Sequence, residues 1–337
     1  MKSAGALLLA LVGLVGCGRG YGRFELPAPP PGPSDVEFRW EVRPEPVLSR
    51  GPDAWDSSDA LNPSVVRFGG EFLNLYSGFD GRTWHTGLAR SADGFVWQKA
   101  GKVLSPDPAT WEGGYIAANG SALVRAGRVW YWYQSRSPAR IGLATSPDAR
   151  QWRKEPDSVL GLGPIGSWDE MGVGDPSVIE AGASLYLFYV GMDRARRQRL
   201  GVARSEDGVH WTKLLANPIL EIGPDGAFDE NGLGEPAVWA SNGRYWMLYT
   251  GRDRHENRRI GLAESANGVS WVRSARAPVL SGEQAWDGKV VCDPTVAPGT
   301  GGWHVWFGGG DVARPDERLN GQIGYAFLRV VPKGPVH

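Results

Sequence analysis

The chain of 337 residues is long enough for one large domain or two small ones, and its charge is balanced, 36 Lys and Arg against 37 Asp and Glu. That balance excludes the electrostatic signature of a nucleic-acid binder or of a protein built for an acidic partner surface. The 48 glycines, 25 prolines and 16 tryptophans argue against a helical bundle, whose interiors disfavour Gly and Pro, and for short strands, tight turns and aromatic packing.

In chain order, Lys2 precedes an apolar run from Ala4 to Val15, the length of a signal-peptide core and short for a membrane span. The run ends in Leu14-Val15-Gly16-Cys17, which resembles the bacterial lipobox. The resemblance implies cleavage before Cys17, lipidation of its thiol and, with Gly18 rather than Asp following, export to the outer membrane. An ordinary secretory signal with an incidental Cys17 is the alternative. With Cys17 acylated, Cys292 has no disulfide partner. Residues 18–35 contain Pro27, Pro29, Pro30, Pro31 and Pro33 and read as an extended tether between anchor and domain.

Residues 36–330 are repetitive. Trp55-Asp56, Trp168-Asp169, Phe228-Asp229 and Trp286-Asp287 each lie eight residues before Pro63-Ser64-Val65-Val66, Pro176-Ser177-Val178-Ile179, Pro236-Ala237-Val238-Trp239 and Pro294-Thr295-Val296-Ala297. Trp111-Glu112 leads into Gly120-Ser121-Ala122-Leu123 with one extra residue, so the aromatic recurs every 56 to 60 residues. Each unit continues with an aromatic strand (Phe72–Tyr76 in the first), a small-residue strand (Gly87-Leu88-Ala89) and, in the first four, a turn leading to Trp97, Trp152, Trp211 or Trp271. Four short strands at this period predict an all-β fold, a five-bladed β-propeller of four-stranded blades. The fifth unit lacks its final strand, and Phe38-Arg39-Trp40 at the start carries the matching pattern. The N-terminal strand is therefore expected to complete the last blade and remove an exposed edge; residues 331–337 remain as a tail.

Repetition separates scaffold from function. Asp56, Glu112, Asp169, Asp229 and Asp287 recur in every unit and read as structural, as do the terminal tryptophans. The position before the repeat's proline varies: Asn62, Asn119, Asp175, Glu235 and Asp293. On innermost strands these five side chains ring one end of a central pocket. Three converging carboxylates raise one another's pKa, which leaves one acid protonated beside an ionised base, the pairing that hydrolysis uses. Strand capping or cation binding is the structural alternative. A second ring holds Asp80, Arg136, Asp193, Asp253 and Asp311, with Arg136 the odd member facing ligand oxygens; Trp84, His85, Tyr115 and His255 are expected in loops that reach the pocket rim. The histidines have no metal-ligand spacing, so neither metal nor cofactor is expected.

These residues resemble the five-bladed propeller glycosidases, glycoside hydrolase families 43, 32, 62 and 68 and the mannoside phosphorylases of family 130. The resemblance covers residues 36–330 and rests on the repeated Trp-Asp, on Asp-Pro-Ser-Val-Ile at 175–179 and on Leu-Gly-Val-Ala-Arg-Ser-Glu-Asp-Gly-Val-His-Trp at 200–211. It implies a carbohydrate substrate and an acid, a base or nucleophile, and a third carboxylate on inner strands. Family 43 carries these in its first three blades, whereas here Asn62 and Asn119 occupy the first two. Either the site has rotated to Asp175, Glu235 and Asp293, with Glu235 as acid and Asp175 or Asp293 as base, or the fold survives as a glycan-binding, non-catalytic lipoprotein. A sialidase-like enzyme is a third reading, on the Ser-x-Asp-Gly turns. The expected partners are a carbohydrate ligand and the membrane through the lipid alone, without nucleic acid, and the chain is expected to be monomeric.

Overall fold

The structure is a computed structural model that describes residues 20–33 and 36–332. It is all-β, built of consecutive antiparallel meanders. The first joins Asp59–Leu61 and Val65–Phe68 to Glu71–Phe79, Trp84–Ser91 and Gln98–Leu104. Ala117–Arg125, Arg128–Ser135, Arg140–Ser146 and Arg153–Lys154 form the next, and Gly172–Ala181, Ser184–Met192, Gln198–Ser205 and Thr212–Leu214 the third. Gly232–Ser241, Arg244–Arg252, Arg258–Ser265 and Val272–Arg273 follow. The last holds Val290–Gly299, Gly302–Gly310 and Gln322–Pro332, and onto it Val36–Val42 adds antiparallel, Trp40 opposite Leu328. That strand runs to Pro332, past the expected start of the tail at residue 331.

Second strands such as Ser184–Met192 are apolar almost throughout and buried along nearly their whole length, rather than alternating. A sheet covered on both faces has no solvent side to reserve for polar residues. The cover is the neighbouring meander: Trp211 packs edge-on to Trp132 at 6.2 Å and Trp271 to Phe188 at 6.0 Å. First and last meanders meet in the same way, through Phe72, Trp97 and Trp306, and the Trp306 indole donates to the Gly94 carbonyl.

The recurring acids are buried staples. Asp169 accepts from the Tyr189 hydroxyl at 3.2 Å and from the Lys213 ammonium at 2.6 Å. Asp56 holds Tyr76 and Lys99, Glu112 holds Tyr133 and Lys154, and Asp229 holds Tyr249 and Arg273. Each ties the loop entering an inner strand to the second and fourth strands of the same meander. In the fifth, Phe307 replaces the tyrosine, and Asp287 accepts from the Gln284 amide instead. Asp169→Ala leaves the buried Lys213 ammonium without its counter-charge and is expected to cost about 3–5 kcal/mol, against far less for Asp287→Ala; urea unfolding of both variants measures the difference.

The proline-rich segment is not a free tether. Within residues 18–35, Tyr21–Gly22 pairs in parallel with Lys213–Leu214. Leu26 is buried in a core cluster with Tyr186 and Tyr245, Phe24 lies 6.0 Å from Tyr186, and the carbonyls of Pro27 and Pro30 accept from the Tyr245 hydroxyl and the Gly243 amide. Prolines exclude a ladder of their own but leave carbonyls free as acceptors, so the segment binds as an extended strap. The signal segment and Cys17 lie outside the described residues. Among the described residues no helix is long and apolar enough to cross a membrane.

Candidate active site

The five residues before the repeat's proline or glycine share an unusual backbone. Asn62, Asn119, Asp175, Glu235 and Asp293 all have positive φ, between 35° and 53°, a region that non-glycine residues avoid and that costs about 1–3 kcal/mol each where function holds it. Each interrupts the inner ladder. Pairing breaks between Gly174 and Ser177, between Gly234 and Ala237, between Cys292 and Thr295, and between Ala118 and Ser121. A bulge re-aims a side chain out of the sheet, and the five together line one cavity of about 30 Å³. A larger cavity of about 450 Å³ adjoins it across Pro63, Pro176, Pro236 and Pro294, which line both, and is lined further by Val65, Val178, Val238 and Val296 among others.

Hydrogen bonds between meanders hold these bulges. The Ser77 hydroxyl donates to the Asn119 side-chain Oδ1 at 3.0 Å and accepts from the Asn119 backbone amide at 2.9 Å. Gln134 accepts from the Asp175 amide at 3.2 Å and Thr250 from the Asp293 amide at 3.1 Å. Asn119 Nδ2 donates to Asp175 Oδ1 at 3.2 Å, and the Asn62 amide donates to Asp293 Oδ2 at 3.1 Å. At Gly308 a Cβ would fall 2.6 Å from Asp293 Oδ2, so glycine there lets that carboxylate cross from the fifth meander to the first. Sequence reasoning missed Ser77, Gln134 and Thr250. They share a register position with Val190 and Gly308, and five different residues at one repeat position was the available signal.

Electrostatics divide the acids. Burial raises Asp175 well above the usual carboxylate range, and the charges of Glu235 and Asp293 add to it against the opposing Asn119 hydrogen bond. Burial and the Glu235 charge push Asp293 up to about 7. Glu235 Oε2 is buried and, among the described residues, accepts no hydrogen bond, the condition of an oxygen left for a ligand or a proton. Buried Arg258 lies beside Glu235, Asp293 and Cys292 and was also unforeseen. Counting three back from the third-strand glycine gives Trp84, Ala139, Gln198, Arg258 and Gly321, again five unlike residues.

The expected rim is partly wrong. Trp84 is buried, stacked on Phe79 at 4.8 Å in an apolar cluster with Leu61, Ile116 and Leu319, so its faces are spent on protein. His85 is also buried, its ring bonded to Ser105 at 3.0 Å and Asp80 at 3.4 Å. Both sit inside the strand Trp84–Ser91, and the burial that packs one meander against the next removes them from the rim. Tyr115 is 40% exposed and donates to Glu317 at 2.7 Å. Arg136 lies exposed in a hairpin, away from the lining of the carboxylate cavity. In the second ring Asp80, Asp193 and Asp253 accept from amides of their own hairpins, a turn-holding role. Among the described residues no group of three or more His, Cys, Asp or Glu is arranged to hold a metal ion.

The fold is that of the β-propeller glycosidase superfamily. It is similar to a solved glycoside hydrolase with a TM-score of 0.68 at 17% identity, covering 93% of this chain and 95% of that one. A glycosyl hydrolase from Bacteroides ovatus superposes with a TM-score of 0.67 at 19% identity, over 87% and 94% of the two chains, and a thermostable family-43 glycoside hydrolase with 0.63 at 15%, over 82% and 93%. The chain belongs to the family described as glycosyl hydrolases family 32 N-terminal domain, whose model matches residues 74–216 and 203–315. It is 25% identical over 233 residues to an uncharacterized protein of Mycobacterium tuberculosis, 63% of this chain and 75% of that one. It is also 26% identical over 144 residues to the raffinose invertase of Escherichia coli, 40% of this chain and 28% of that one.

Proposed function

We propose that this protein hydrolyses O-glycosyl bonds of an extracellular or cell-surface oligo- or polysaccharide, through Asp175, Glu235 and Asp293 at the centre of a closed five-bladed propeller. In this reading Val36–Val42 completes the fifth blade and a lipid on Cys17 anchors the exported chain to the cell envelope, at the outer membrane. The observation that carries the proposal is the ring of five left-handed polar residues, three of them acids, meeting at one cavity. Two asparagines in the first blades leave three acids on consecutive ones, the number that donor, base and modulator require.

The electrostatics favour a different division of labour from the one the residue types alone imply. Asp175 is the carboxyl its surroundings keep protonated, which suits proton donation to a leaving group. Glu235, with an unengaged oxygen, suits base or nucleophile, and Asp293 shares the cluster's remaining proton. One specific observation favours the non-catalytic reading: a cavity of about 30 Å³ admits water but is far below the several hundred Å³ of a small-molecule pocket. Incubating the purified chain with a panel of aryl-glycosides and of plant and bacterial polysaccharides decides between them. Release of reducing sugar supports hydrolysis; binding of a glycan without turnover supports the second reading.

A further inference from the structure

Arg258 links the carboxylate cluster to a long loop of the fifth meander. The connection 311–321 in the fifth meander spans eleven residues, against four or five at the equivalent hairpins 80–83, 136–139, 193–197 and 253–257. It reaches across several meanders. Asp59 accepts from the amides of Arg318, Leu319 and Gly321 at 2.6, 2.9 and 2.8 Å, and Tyr115 donates to Glu317. Leu319 is fully buried in the apolar cluster with Leu61, Trp84, Ile116 and Cys292. Leu61 and Cys292 are the chain neighbours of Asn62 and Asp293, so this cluster abuts the cavity.

The fourth meander supplies the remaining contact. Arg258, 8% exposed, donates through Nη2 to the carbonyls of Arg314, at 3.1 Å, and of Pro315. Among the described residues it makes no ion pair with a carboxylate. An arginine buried this deeply is expensive unless its charge serves nearby groups. Glu235, Asp293, Asp316 and the Cys292 thiol are the titratable groups it faces, and Asp175 lies within reach of its field.

We infer that Arg258 is a positioning residue that couples the 311–321 loop to the carboxylate cluster, holding the loop's carbonyls while its charge acts on Asp175 and Asp293. Displacing the loop frees the guanidinium from the two carbonyls and leaves it to the carboxylates alone, so loop position and proton distribution change together. The inference rests on the catalytic reading for its meaning but not for its test.

The test titrates the full chain without substrate. With carboxyl-¹³C aspartate incorporated, NMR titration of Asp293 is compared in the native protein, Arg258→Gln and Arg258→Lys, alongside hydrogen exchange at residues 311–321. Expected for Arg258→Gln are an upward shift of the Asp293 midpoint by about one unit, a tenfold change in proton affinity, and faster exchange in the loop. Arg258→Lys keeps the charge without the fork and is expected to restore the midpoint but not the exchange protection. A midpoint unchanged in both variants, or loop exchange unchanged in Arg258→Gln, overturns the coupling. If Arg258→Gln does not fold, the Lys variant decides alone: a native midpoint with a loosened loop supports the coupling, and a native loop overturns it. A shifted midpoint in a chain that hydrolyses no glycoside leaves the coupling standing and removes the hydrolase reading.

Discussion

Asp175→Asn and Glu235→Gln are each expected to lower kcat/KM for the best glycoside found by about 10²- to 10⁴-fold, the usual worth of a positioned acid or base, while the protein stays folded. Both replacements are isosteric, so neither opens a cavity. Asp175→Asn also removes a group whose ionisation the site resists, through burial first and then through Glu235 and Asp293. Its melting temperature at neutral pH is therefore expected to rise, while Asp169→Ala, at a staple acid, lowers it. The two roles separate with a better leaving group. A general-acid variant regains activity on an activated aryl-glycoside, because departure no longer needs a proton, whereas a base or nucleophile variant does not. Recovery in Asp175→Asn but not in Glu235→Gln supports the assignment; recovery in Glu235→Gln alone reverses it. Full activity in both variants removes the cluster from the chemistry.

The second large effect is on pH. Asp293 is pushed up to about 7 and Asp175 is also raised, so the folded protein holds protons that the unfolded chain has already released. A carboxyl with a folded pKa above its unfolded value contributes stability that is fully present below about pH 4 and is lost as pH rises through the folded pKa. The window for Asp293 thus runs from about 4 to about 7, with a slope of at most about 1.4 kcal/mol per pH unit. Asp175 extends the loss in the same direction. Urea unfolding across that window is expected to show the decline, and Asp293→Asn to flatten it. Activity follows the donor's proton and is expected to fall on the alkaline side as Asp175, whose carboxyl is also raised, gives it up. A stability profile that rises between pH 4 and 7, and keeps rising in Asp293→Asn, means that other carboxylates dominate and that the cluster is not held protonated.

Much of this site was legible before any coordinates. Asn62, Asn119, Asp175, Glu235 and Asp293 stand at one repeat position, and equal covalent spacing in a repeated module places equal positions at equal depth. The backbone at those positions is uniformly left-handed, which matches the reading of a single structural site occupied by unlike residues. The same logic marked Asp56, Glu112, Asp169 and Asp229 as scaffold, and each proves to be a buried staple to a tyrosine and a cation. What repetition alone did not supply was the partner in the next module. Trp84 and His85 looked like rim residues until the neighbouring meander buried them, and the proline-rich stretch looked like a tether until Leu26 found its place beside Tyr186 and Tyr245.

The amino-acid sequence by itself determined the module, its strand order and the five residues that face one another, because those follow from local pattern and from a period written along the chain. Only the tertiary structure decided that burial raises Asp175 and Asp293, and that Arg258, Ser77, Gln134 and Thr250 belong to the same site. Burial, a carboxyl's proton affinity and a hydrogen bond between modules depend on distances between residues far apart in sequence, and no local pattern encodes those distances.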